Sequence, residues 1–154
     1  MIRLIAAVDS EWGISKNGKI PWHLPEDLRF FREKTADGVV VMGKNTFFSI
    51  ENRPLKDRIN CIVSTTLISA EGAEIFKSLE SVRDKYDDFW IIGGAALYNY
   101  ALKNSLADYA LITRLRKNYD TDKFICKNYL SDDFSEELII AEDMYSIVRY
   151  VKSK

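Results

Sequence analysis

The stretch "FWIIGGAALYNYAL", residues 89–102, constrains the fold more than any other. A β-rich apolar run meets two glycines and turns at once into a helical run. Such a turn belongs to sheets with parallel strands, because a parallel neighbour is reached only through a crossover, usually a helix. The pattern recurs. "GVVVM", residues 38–42, stops at Gly43 and leads into "KNTFFSI", a short helix, while "RINCIVS", residues 58–64, ends in a polar segment. "IRLIAAV", residues 2–8, is apolar almost throughout, as a strand buried on both faces must be.

The remaining segments fit the same plan. Residues 9–20 form a polar loop with Gly13 and an Asn17–Gly18 turn signal. A helix is predicted from Pro25 to about Lys34, and another over "SLESVRDKY" with Ser78 as N-cap. "AEIF", "DYALITRL", "ELIIAEDM" and "YSIVRYVKS" supply further strands. Strands alternate with helices early and follow one another late, which predicts an α/β chain with a parallel sheet and an antiparallel edge. A length of 154 residues suits one domain, residues 1–154, around one core.

Bulk properties exclude several functions. A net charge of -1 speaks against a general nucleic-acid or membrane-surface binder. No apolar run approaches the roughly 20 residues that span a bilayer. "MIRLIAAV" reads as a buried strand rather than a signal peptide, so Cys61 and Cys126 are expected as free thiols in the cytoplasm. His23 is the one histidine and reads as a solvated loop side chain, so no metal site is expected.

In a parallel sheet, ligands bind beyond the carboxyl ends of the strands. That points to residues 9–20, 43–46, 64–66, 93–95 and 113. Three of these segments suit an anion. "GKNT" opens a helix after Gly43 and carries Lys44; "GGAA" does the same after Gly93; "STT" brings three hydroxyls. A helix N-terminus offers free N–H groups, and glycine lets a ligand approach the backbone. A tight connection between elements would use the same residues. Neither the Walker pattern nor G-x-G-x-x-G is present.

"PWHLPEDLRFF", residues 21–31, holds two adjacent acids that are not equivalent. At about 100° per residue, Leu24, Leu28 and Phe31 form an apolar stripe. Asp27 flanks that stripe at roughly 65° from its centre, whereas Glu26 points away from it with Arg29 and Glu33. Glu26 is a solvated acid at the positive end of a helix dipole. Asp27 is either a first-turn acid at the core's edge or a carboxylate awaiting a hydrogen-bonding ligand.

"IAAV", "IPWHLPEDLRFF", "VVMGKNTFFSI", "RPLKDR", "WIIGGAALY" and "ITRL" stand in an order and spacing that resemble the dihydrofolate reductase family, from Ile2 to about Tyr129. The resemblance implies a single α/β domain with a central eight-stranded mixed, mostly parallel sheet and about four flanking helices. It implies NADPH-dependent reduction of 7,8-dihydrofolate to 5,6,7,8-tetrahydrofolate, with antifolates as further small-molecule partners and a monomeric state. A pyrimidine reductase on the same fold would be expected to lack the pairing of Asp27 with Arg58.

By this resemblance Asp27, Trp22, Tyr98 and Thr113 serve catalysis. Asp27 and Thr113 hold the pterin 2-amino group and N3, and Trp22 orders a nearby water. Ile5, Ala7, Leu28, Phe31, Ile50, Leu55 and Ile92 wall the substrate, and Arg58 takes the carboxylate of its glutamate tail. Ala7, Ile14, Ile20, Ile92, Leu97 and Tyr98 line the cofactor. Gly43, Lys44, Asn45, Thr46, Val63, Ser64, Thr65 and Lys77 meet its adenosine and phosphate half. Gly93 and Gly94 are joined by a cis peptide and continue into Ala95 and Ala96. Residues 9–23 correspond to a mobile loop. Ser15 and Ala95 stand where many relatives have glycine, Glu51–Asn52 carries an extra residue, and Lys123 and Cys126 replace a threonine and a proline.

Overall fold

The apolar runs are strands with two buried faces, and their side chains divide between two cores. The computed structural model describes residues 1–153. One sheet of eight strands runs in the order β5 (Ala73–Phe76), β4 (Ile59–Val63), β3 (Val39–Gly43), β6 (Phe89–Gly93), β1 (Ile2–Val8), β7 (Tyr109–Leu115), β10 (Tyr145–Lys152) and β9 (Phe134–Ala141). Only the pairings of β10, with β7 and with β9, are antiparallel. The mixed sheet with its antiparallel edge is therefore as the order of segments predicts.

Alternation along each strand sends Ile5, Val40, Met42, Trp90 and Leu111 to one face. There they meet Phe47 of α2 (Lys44–Ser49) and Phe30 and Phe31 of α1 (Pro25–Thr35). Leu4, Val41, Ile91 and Ile112 go to the other face. They pack on Leu79 and Val82 of α3 (Leu79–Lys85) and on Tyr98, Ala101 and Leu102 of α4 (Ala95–Lys103). Two helices thus cover each face.

The helices start where local chemistry directs. Pro25 opens α1 with a fixed φ, acids occupy its first turn, and Arg32 and Lys34 lie in its last. Ser78 caps α3 through a reciprocal pair with Ser81. Only part of the apolar stripe along α1 meets the sheet. Leu28 is 52% exposed and joins neither core, while Phe30 and Phe31 pack inward and Thr35 alone is fully buried. The helix meets the sheet through its later turns, and its first turn stands off the core.

Residues 9–20 are not wholly loop. β2 (Gly13–Ser15) pairs with β8 (Lys123–Phe124) in a separate two-stranded sheet. Elements of three and two residues carry no readable period, so the sequence pattern could not show them. Among the described residues no helix is long and apolar enough to cross a membrane, and no cluster of His, Cys, Asp and Glu could hold a metal ion.

Candidate active site

Pro25 sets the start of α1, and that start places Asp27 over β7. Thr113 of β7 lies in register between Ala7 of β1 and Ile147 of β10, at 2% exposure. Its Oγ1 donates to Asp27 Oδ1 at 2.5 Å. Asp27 makes no salt bridge among the described residues. Burial raises its carboxyl pKa above the usual value, and the Thr113 hydrogen bond offsets part of that rise. Here is a partly buried acid with one neutral donor and spare acceptor capacity. Glu26, as read from helical geometry, is exposed.

The apolar residues named for the substrate gather beside it. Ile5, Phe31, Ile50, Leu55 and Ile92 belong to one cluster, and Ala7 shares the face of Thr113 by register. Leu28 contributes an exposed side chain next to the acid. Arg58 lies at the far end of α1. Its Nη1 donates to Thr35 Oγ1 at 3.0 Å, its Nε to the Lys56 carbonyl at 3.0 Å, and its guanidinium sits 6.0 Å from the Phe31 ring. Burial and then the Arg32 charge lower its pKa. The fork is held by two acceptors, and its remaining N–H groups are available to an anion.

Tyr98 of α4 is buried and donates its hydroxyl to the Ile5 carbonyl at 2.7 Å. Burial and the Asp27 charge push the phenol far above its ordinary pKa, so it stays a neutral donor. Trp22 is half-buried on the segment entering α1, and its ring meets Tyr119 edge-on at 5.4 Å.

The three anion candidates converge, because β3 lies between β4 and β6. Lys44 Nζ donates to Thr66 Oγ1 at 3.2 Å, and Ser64 Oγ lies 3.3 Å from the same hydroxyl. The Gly93–Gly94 peptide is cis, and a Cβ on Gly93 would fall 3.1 Å from Thr46 Oγ1. A Cβ on Gly43 would meet nothing within 4 Å, so that backbone faces open space. The start of α4 has no side-chain cap, which leaves its first N–H groups for another acceptor. Asn45, Thr65 and Ala96 are exposed around this cradle, Ala95 opens α4, and Val63 and Leu97 pack against the core behind it. Lys77 is exposed just past β5. Ile14 packs from β2, and Ile20 stands 63% exposed on the loop. These donors fit a phosphorylated nucleotide.

Three residues join the site beyond those the family resemblance names. Thr66 is the last hydroxyl of the anion-candidate segment 64–66 and meets Lys44. Asp9 is buried at the end of β1, where an acid directly after seven strand residues was the available signal. Tyr119 carried no signal.

Comparison with known proteins agrees with this geometry. The family model for dihydrofolate reductase matches residues 1–143. Dihydrofolate reductase of Ureaplasma parvum is 33% identical over 160 residues, covering 100% of this chain and 98% of that protein. The Haemophilus influenzae dihydrofolate reductase is 39% identical over 125 residues, covering 79% of this chain and 76% of that one. A solved structure of the Enterococcus faecalis dihydrofolate reductase, complexed with NADP(H) and RAB-propyl, superposes with a TM-score of 0.83 at 27% identity, covering 100% of this chain and 97% of that one. With a family match across both the acid-bearing helix and the glycine turns, the chain belongs to the dihydrofolate reductase family.

Proposed function

We propose that this chain reduces 7,8-dihydrofolate to 5,6,7,8-tetrahydrofolate with NADPH, acting as a single-domain monomer. The observation that carries the reading is the Asp27–Thr113 pair: a partly buried acid with one neutral donor and no ion-pair partner among the described residues. A pterin presents two N–H donors side by side, and the two oxygens of a carboxylate match them. Those hydrogen bonds favour the ionised form that burial opposes.

When bound, NADPH supplies the hydride that C6 of the pterin receives. Lys44, Thr46, Ser64, Thr65 and the α4 N-terminus would hold its phosphates. The protein's own work is to orient two rings and exclude water. Ile5, Phe31, Ile50 and Ile92 wall the pterin and benzoyl rings. Arg58 takes the tail carboxylate. Asp27 fixes the pterin and raises the basicity of N5, and solvent delivers the proton there through a water beside Trp22. Antifolates that carry the same pair of donors would compete for Asp27.

The direct test follows the loss of NADPH near-ultraviolet absorbance with dihydrofolate present. Turnover should require both substrates. Asp27→Asn should lower the neutral-pH rate strongly and recover part of it in acid, where the substrate arrives protonated. No turnover at micromolar enzyme would sink the reading, and a near-normal Asp27→Asn rate at neutral pH would sink the role of the acid.

A further inference from the structure

We propose that Asp9 is a positioning residue: its two carboxylate oxygens tie two separate loops together, and through Tyr119 they set the place of Trp22. The proposal rests on the reductase function assigned above.

Asp9 follows β1 directly and is 1% exposed. Its Oδ1 accepts from the Glu11 N–H at 3.0 Å, in the loop that leaves β1, and from the Gly13 N–H at 2.9 Å, where that loop enters β2. Its Oδ2 accepts from the Tyr119 N–H and the Thr121 hydroxyl, each at 3.0 Å, both in the loop that leaves β7. Each oxygen serves one loop. Burial would raise the pKa of this acid, yet the four donors outweigh it and hold the pKa below the ordinary value. Asp9 is therefore a charged bridge.

Two further observations give the bridge a direction. A Cβ on Gly13 would fall 1.6 Å from Thr121 Oγ1, so the two loops touch with no room for a side chain. Tyr119, whose N–H is held by Asp9, packs its ring edge-on against Trp22 at 5.4 Å. Trp22 stands on the segment entering α1, five positions before Asp27. Farther out, Asp122 accepts from the Asn17 N–H at 2.9 Å and its own N–H meets the Ser15 carbonyl at 2.9 Å. Asp122 is exposed, whereas Asp9 is the buried root of the same contact.

Asp9→Asn tests this with little change of shape. One oxygen becomes an NH2 group, which then faces two donors whichever way the amide turns, so one loop must let go. Thr121→Val removes a donor and keeps the charge. Tyr119→Ala removes the ring against Trp22 and keeps the backbone donor.

Amide hydrogen exchange of the ligand-free protein should quicken on the order of tenfold across residues 9–22 and 116–125 in Asp9→Asn and Thr121→Val, with β3, β4 and α4 unchanged. In turnover, kcat should fall on the order of tenfold in all three variants while KM for dihydrofolate moves less than about twofold, because Arg58 and the apolar wall lie on other elements. Exchange confined to one loop, or an unchanged kcat in Thr121→Val and Tyr119→Ala, would overturn the proposal. Should Asp9→Asn fail to fold, those two variants decide it. Exchange needs no turnover, so an inactive parent protein would overturn the assigned function, while the exchange pattern would still decide the two-loop tie.

Discussion

Thr113 Oγ1 donates to Asp27 Oδ1 at 2.5 Å across 86 positions of chain. The hydroxyl belongs to a central strand and the carboxylate to the first turn of a helix, so the pair exists only once α1 has docked on the sheet. It holds the acid in one orientation and opposes part of the pKa rise that burial causes.

Thr113→Val keeps the volume and deletes the donor. The Asp27 pKa should then rise further, since burial acts unopposed. The neutral-pH rate should fall roughly tenfold, and the acid limb of the pH–rate profile should move to higher pH. Steady-state rates across a pH series check both.

Asp27→Asn should stabilise the folded chain while it disables turnover. The acid's pKa is raised in the folded state, so the fold prefers it protonated. The resulting penalty is absent below the unfolded pKa and grows as pH rises through the folded one. Asparagine removes that penalty. Thermal melts should therefore show a higher Tm for Asp27→Asn at neutral pH, with the gap closing below the ordinary carboxylate pKa of about 4.

Arg58→Lys separates charge from geometry. Lysine keeps the cation and loses the fork that Thr35 and the Lys56 carbonyl hold in place. KM for dihydrofolate should rise roughly tenfold. A dihydropterin without the glutamate tail should show no such change, and comparing the two substrates measures it.

Gly93 and Gly43 should respond differently to alanine. Gly93 has φ of 141°, and a Cβ there would crowd Thr46 Oγ1 at 3.1 Å. Gly93→Ala should cost about 1–3 kcal/mol of stability. Gly43→Ala should stay within about 0.5 kcal/mol, since its Cβ meets open space. If that space holds a phosphate, Gly43→Ala should still weaken NADPH binding. Urea denaturation and NADPH titration separate the two effects.

Much of the architecture was legible along the chain. Near-continuous apolar runs mark strands buried on both faces, and strand–glycine–helix turns mark parallel crossovers. The order of segments placed the antiparallel edge. Helical periodicity distinguished Asp27 from Glu26, because angular position within a helix follows from spacing alone. It did not show that Leu28 stands off the core, since spacing does not say which turns of a helix touch the sheet.

What needed the tertiary structure was the meeting of distant residues. Thr113 reaches Asp27, Lys44 reaches Thr66, and Asp9 gathers donors from positions 11, 13, 119 and 121. No local period encodes these contacts, because they depend on strand order and on how loops from β1 and β7 pack side by side. Local spacing determined the elements and the faces they present; the sheet's assembly decided which side chains share a site.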